Sequence, residues 1–196
     1  ATNTLLNQFD ANDFTGFDKL KDADVISVIS SVAAKIKKGE GSMTKDAAKK
    51  MLDKAMGAGG WGAIKDWTED KFEDAGALLD GLDVASITNI PDGTFEKVMD
   101  NFGAVHTWGK DQEKELAGKF KKTIGDFTKC TAAGLDKIKG FIPGLTAAEL
   151  AKIPKDAFKD AAKSIAESCQ KIGAFAKDQL EAMAKQVKDA FGDAAG

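Results

Sequence analysis

The residues able to do chemistry in this chain are few and scattered. Among 196 residues there is one histidine, His106, so neither a His-rich metal site nor a Ser/His/Asp or Cys/His catalytic grouping can be argued. His106 alone reads as a packed or partly exposed ring. The acidic runs Asp10-Ala11-Asn12-Asp13 and Asp22-Ala23-Asp24 suggest calcium at first sight. From Asp10, however, the fifth position is Phe14 and no Glu stands at the twelfth, so the EF-hand ligand spacing fails and capping of helix starts is the better reading. The glycine-rich stretch 57–62 contains no Lys-Ser/Thr and reads as a loop, not a phosphate cradle. No catalytic, cofactor-binding or metal-ligating residue is assigned. The chain reads as non-enzymatic, with no cofactor.

Composition narrows the classes further. All 28 basic residues are lysine, set against 31 acids for a net charge of −3, and there is no tyrosine. Arginine is the usual residue for bidentate contacts to phosphate and guanine, so its absence, with balanced charge, argues against nucleic-acid binding. A tyrosine-based adhesive is excluded. A hydrophobic content of 43% with 30% charged residues is that of a globular chain. The longest uncharged runs fall far short of the ~20 apolar residues a membrane span needs. The chain begins ATNTLLNQF, without Met and without a charged segment leading into an apolar one. It is taken as a secreted chain with its signal peptide already removed; a trimmed start is the alternative. No Asn-x-Ser/Thr acceptor occurs.

The elements that must position these residues are helices. Val25, Ile26, Val28, Ile29, Val32, Ala33 and Ile36 follow the spacing of one amphipathic helix. Phe95, Val98, Met99 and Phe102 mark a second, and Leu116, Phe120, Ile124 and Phe127 a third. No sustained period of two is present, so no sheet is predicted. Pro91, Pro143 and Pro154 are each read as ending a helical pattern. Thr146 with Glu149 has the form of a capping box, and Thr68 before Glu69 and Asp70 is a further helix start. Helices of ~8–16 residues joined by short turns, with antiparallel neighbours, are predicted.

The chain also resembles itself. At an offset of 63 residues, Ile90-Pro91-x-x-x-Phe95 falls on Ile153-Pro154-x-x-x-Phe158, and Leu78, Leu79, Gly81, Leu82 and Ile87 fall on Phe141, Ile142, Gly144, Leu145 and Leu150. Downstream the offset becomes 67: Trp108-x-x-Asp111-Gln112 falls on Phe175-x-x-Asp178-Gln179, and Leu116 on Met183. An earlier copy, offset by 70, sets Phe14, Phe17, Leu20, Val25, Val28, Ile29 and Val32 against Val84, Ile87, Ile90, Phe95, Val98, Met99 and Phe102. In that copy Met43-x-x-Asp46 with Met51 takes the place of Trp108-x-x-Asp111 with Leu116. Amphipathic helices match one another by chance at some positions, but the shared Ile-Pro-x-x-x-Phe and Gly-Leu go beyond that. The prediction is all-α: one α-solenoid domain over 1–196, of about three four-helix repeats at 1–57, 58–120 and 121–196, stacked into a continuous core.

The stretches ITNIPDGTFEKVMDNFG, HTWGKDQEKEL and LTAAELAKIPKDAF resemble the superhelical, armadillo-type repeats of mesothelin, stereocilin and otoancorin. The likeness is spread over residues 60–190. It implies a right-handed superhelix on an extracellular or surface-attached protein that acts in adhesion or matrix attachment, and it brings no catalytic residues. This chain departs from that family in its small size and its lack of arginine.

The repeat sets Cys130 against Trp67 and Cys169 against His106. If the ends of the first and third helices of a unit meet, a Cys130–Cys169 disulfide is possible, closing a loop of about 40 residues for roughly 4 kcal/mol. Two separate buried thiols are the alternative. Trp61, Trp67 and Trp108 read as core or inter-repeat packing, with interface anchors the minority reading.

The function expected is self-association, with the chain as its own partner. Leu5, Leu6 and Phe9, with Phe14 and Phe17, crowd large apolar groups into the first segment. Phe175, Leu180, Met183, Ala184, Val187 and Phe191 line one side of the last helix. Packing one end on the other is a heterologous contact, which propagates into a filament, fibre or adhesive matrix unless it closes into a ring. The alternative is a secreted helical binding module for a protein partner or an apolar ligand.

Overall fold

The computed structural model describes residues 19–57, 59–169 and 175–192, and every regular element among them is helical. The chain divides into two compact units, Ala1–Thr94 and Phe95–Gly196.

In the first unit, α1 (Asp22–Lys37) and α2 (Lys45–Ala55) pack on each other. α1 buries Val25, Val28 and Ile29, and α2 buries Ala47, Ala48, Met51 and Leu52. Thr44 caps α2 by accepting the Ala47 N–H at 3.2 Å. The chain then makes a tight turn at Ile64–Asp66, the short helix α3 (Glu69–Ala75) and a second tight turn, Gly76–Gly81. That turn packs against α1, α2 and α3. Its last residue lies so close to α2 that a Cβ on Gly81 would overlap the backbone at Ala48–Lys49. Thr68 opens α3 at the predicted place, but its side chain makes no capping bond. Helix α4 (Val84–Thr88) is capped by Asp83, which accepts the Ser86 N–H at 2.8 Å.

Helix α5 (Asp92–Gly103) runs into the second unit, which continues with α6 (Lys110–Ile124), a tight turn at Phe127–Lys129, α7 (Ala132–Lys137) and a tight turn at Ile142–Gly144. It ends with α8 (Ala147–Leu150), α9 (Lys155–Asp160), α10 (Ala162–Cys169) and α11 (Lys177–Phe191). An aromatic chain fills its centre. The rings of Phe95 and Phe102 are 5.6 Å apart, Phe102 stacks on Trp108 at 5.8 Å, and Phe95 reaches Phe141 at 6.5 Å. The buried Trp108 donates its indole N–H to the Phe102 carbonyl at 3.1 Å. The tight turn Ile142–Gly144 packs on α6, where a Cβ on Gly144 would overlap the backbone at Glu113–Lys114.

Element starts recur along the chain. The two tight turns at Ile64 and Phe127, the helices α3 and α7 at Glu69 and Ala132, α4 and α8 at Val84 and Ala147, and α5 and α9 at Asp92 and Lys155 are each 63 residues apart. α6 and α11, at Lys110 and Lys177, are 67 apart.

Several sequence expectations are corrected. Helices run from four to 16 residues, several of them shorter than periodicity suggests. Pro91 and Pro154 stand where one helix has ended and the next begins, between α4 and α5 and between α8 and α9, whereas Pro143 sits inside the turn Ile142–Gly144. A proline lacks an N–H that would be unpaired at a helix start in any case. The capping box Thr146/Glu149 forms as read, with N–H···O distances of 2.9 and 3.2 Å. Partial burial raises the Glu149 carboxyl, but the Thr146 N–H and the Lys121 ammonium at 3.0 Å outweigh it and hold it below its ordinary range.

Candidate functional site

Of the residues singled out in the sequence for self-association, Leu180, Met183, Val187 and Phe191 lie on α11. Its first turn is closed by Gln179, whose Oε1 accepts the Ala176 N–H at 2.6 Å. The same side chain donates from Nε2 to the carbonyls of Pro143 at 2.9 Å and Leu145 at 2.5 Å. Two turns on, the buried Gln186 donates to the carbonyls of Leu150 and Ile153, both at 3.0 Å. Met183 lies between them and is buried. Positions 179, 183 and 186 share one helix face. That face is bolted by four hydrogen bonds to the turn Ile142–Gly144 and to the end of α8, so the rotation of α11 about its axis is fixed.

The fixed rotation leaves a second apolar face outward. Leu180, Val187 and Phe191, separated by seven and four residues, are 51%, 37% and 44% exposed. Only one other large hydrophobic residue among the described ones, Val84, is as exposed, so the exposure is concentrated on one stripe. Lys159 Nζ lies 5.8 Å from the Phe191 ring centroid, a cation–π distance that leaves the ring edge open. The ion pairs Lys177–Glu181 at 3.7 Å and Lys185–Asp189 at 3.0 Å occupy the polar side of the helix.

Met183 is therefore a core residue, not part of the interface predicted for it, because Gln179 and Gln186 turn its side inward. Phe175 is half-buried in the bend before α11. Leu5, Leu6 and Phe9, like Phe14, Phe17 and the Asp10–Asp13 run, lie outside the described residues. The two glutamines carry the geometry, and sequence reasoning missed their role. Gln179 was visible in the repeated Asp-Gln; Gln186 had no signal, since Lys119 stands at its counterpart in α6.

The predicted disulfide is corrected: both cysteines are free thiols. Cys130 is buried, its Sγ–H donating to the Thr131 carbonyl at 3.7 Å, and Cys169 is exposed at the end of α10. Position 130 serves its own turn, as its counterpart Trp67 does. The Trp67 indole donates to the Gly62 carbonyl at 2.9 Å and packs on Trp61 and Phe72. Burial pushes the Cys130 thiol up to about 11, and partial burial raises Cys169 despite a hydrogen bond with Ser168. A thiol reagent added to the folded protein is expected to modify Cys169 first and Cys130 only on unfolding; equal rates for the two would contradict this placement.

His106 is exposed, while Trp67 and Trp108 are core residues. Among the described residues, no group of three or more His, Cys, Asp or Glu could hold a metal ion, and no helix is long and apolar enough to cross a membrane. Two clefts flank α11, of about 320 Å³ beside Lys110, Leu145 and Asp178, and about 420 Å³ beside Ile153, Lys155 and Asp189. Both are open to solvent and rimmed by charge. No family model, curated protein or solved structure matches the chain.

Proposed function

We propose that this is a non-enzymatic structural protein that associates with itself head to tail, using the stripe Leu180, Val187 and Phe191 as one half of the contact. That stripe carries the reading. Each of its side chains would contribute on the order of 1 kcal/mol if the exposed part were covered. A helix held in one rotation by the half-buried Gln179 and the buried Gln186 presents them as a rigid surface, so little ordering is needed on contact.

The chain is read as a short α-solenoid of about three four-helix repeats, right-handed as in the mesothelin group. The recurring element starts support this. So does burial, since Ile64 and Phe127, Phe72 and Leu135, Leu79 and Ile142, Ile87 and Leu150, and Phe95 and Phe158 are all core residues. The two faces of a repeat stack differ, so pairing between copies is heterologous and grows into a filament or fibre unless it closes. Placement outside the cell, as adhesive or matrix material, rests on the resemblance to mesothelin, stereocilin and otoancorin. With both thiols free, the cysteines no longer speak to the compartment.

Size-exclusion chromatography with light scattering, run over a wide range of protein concentration and followed by negative-stain imaging, tests this. The expected result is a mean mass that climbs with concentration, with linear or ring assemblies in the images. A monomer at every concentration overturns it.

A further inference from the structure

We infer that the outward stripe of α11 seats the Val84 corner of a second copy, so that the second unit of one molecule docks on the first unit of the next. This rests on the self-association reading and names the other half of that contact.

Among the described residues, large apolar side chains are exposed in two places, one on each unit. The second unit exposes Leu180, Val187 and Phe191, and the first exposes Val84. The stripe has the form of a receiving face. With Ala184, which is also exposed, its residues are spaced four, three and four, the alternation by which a helix accepts a side chain from a partner. Ala184 is the smallest of the four and lies between Leu180 and Val187, so it leaves a hollow there.

Val84 has the form to fill it. It is the first residue of α4, directly after the cap Asp83, and so stands at a corner of the chain. It is β-branched, which leaves it few rotamers to lose on contact. Its neighbour Ala85 is small and exposed. One turn on, the Thr88 hydroxyl donates to the Val84 carbonyl at 2.8 Å, so covering that hydroxyl strips no lone donor of water.

Charge selects this pairing over stripe on stripe. From Asp66 to Asp92, eight acids stand against Lys71 alone, and all of them but Asp80 are exposed. Asp83 adjoins Val84 and has Lys49 at 3.3 Å as its partner within the fold. The stripe lies in opposite surroundings. Lys159 stands over the Phe191 ring, and Lys188 follows Ala184 by four residues at the stripe's edge. Helix α9, which packs on α11, lies in the run 152–163, where four lysines stand against Asp156 and Asp160. Two stripes face to face would bring these lysines together, whereas the Val84 corner brings carboxylates to them. The two halves of the contact are different surfaces, so each added molecule leaves one of each open and growth continues.

The test uses the full chain. Val84→Asp and Leu180→Asp should each raise the concentration needed for assembly at least about tenfold with an unchanged melting temperature, and Val84→Ile and Leu180→Met should leave it near wild type. An acid is well placed at a helix start, so Val84→Asp leaves α4 intact. The Val84→Asp protein keeps its stripe and the Leu180→Asp protein keeps its Val84. Mixed at concentrations where each alone is monomeric, they should form dimers that grow no further, read by light scattering. In a Cys169→Ser background, Ala184→Cys protein mixed with Ala85→Cys protein should form an intermolecular disulfide faster than Ala184→Cys protein alone or with Ala133→Cys protein. Wild-type protein that assembles, with Leu180→Asp impaired and Val84→Asp not, overturns the Val84 corner as occupant and leaves self-association standing. A disulfide that forms as fast in Ala184→Cys protein alone does the same, in favour of stripe on stripe. A wild type that never leaves the monomer overturns both.

Discussion

Replacing Gly103 with Ala is expected to destabilise the second unit by about 3 kcal/mol or more. A Cβ at Gly103 would overlap the Lys137 carbonyl and lie 3.2 Å from the Ile138 nitrogen. From the other side, a Cβ at Gly140 would overlap the carbonyls of Val105 and Gly103. The end of α5 and the stretch following α7 therefore cross backbone on backbone, with glycine on both sides. Nothing there is a flexible side-chain tip that could swing away, so a methyl group must push two helices apart. Helix separation would open space under Phe102, Ile138 and Phe141, all fully sealed, so the overpacking cost of about 1–3 kcal/mol is joined by lost packing beneath it. At roughly 4–8 °C per kcal/mol for a unit of this size, the melting midpoint should fall by more than about 10 °C. Gly118 supplies the contrast: it is exposed in the middle of α6 with nothing near where its Cβ would lie. Gly118→Ala should raise stability by about 0.5–1 kcal/mol, because it removes a glycine from a helix interior. Thermal melts followed by circular dichroism read both. A Gly103→Ala protein that melts with the wild type would rule out the crossing.

The contrast between Gly103 and Gly118 marks how far the sequence reads. Helix type and approximate position follow from local spacing, as with Val25 to Val32 or Phe95 to Phe102, because an amphipathic face is written into i, i+3 and i+4 positions. Thr146 and Glu149 are legible for the same reason: both halves of a capping box lie within four residues. What depends on a partner distant in sequence is not legible. Gly103 and Gly118 look alike until the carbonyl of Lys137 is in place. The break at Ala161, which splits the matching third helix into α9 and α10, has no proline or glycine to announce it. Met183 and Leu180 fall on one broad apolar arc of α11, and periodicity alone cannot say which of them faces the core. The pairing of Cys130 with Cys169 failed on the same ground. A sulfur pair needs close Cβ positions, and an offset alignment supplies only equivalence between copies.

Gln186 decides which side of that arc turns outward, so Gln186→Met is the change expected to link stability with assembly. Helix α8 has four residues, too few to hold a helix on its own. Its start is closed by the Thr146/Glu149 box. Beyond its end, the carbonyls of Leu150 and Ile153 are met by the Gln186 amide. Methionine matches glutamine in length and packs in the same space, but it brings no N–H. The Leu150 carbonyl keeps the Ile153 N–H at 3.2 Å, but the Ile153 carbonyl would lose its donor, and the expected loss is about 1–3 kcal/mol. Gln179→Met should cost less, because Gln179 is only half-buried and water can replace its donors. With Gln186 gone, one of the two bolts on α11 is lost. Leu180, Val187 and Phe191 are then no longer held in a single outward register, and assembly should weaken even though none of the three has changed. Leu180→Asp should also weaken assembly, but without a loss of stability. Denaturant unfolding and concentration-dependent light scattering on the same two proteins separate them. If Gln186→Met melted and assembled as wild type does, the rotation of α11 would have to be fixed by Met183 packing instead of by the glutamine.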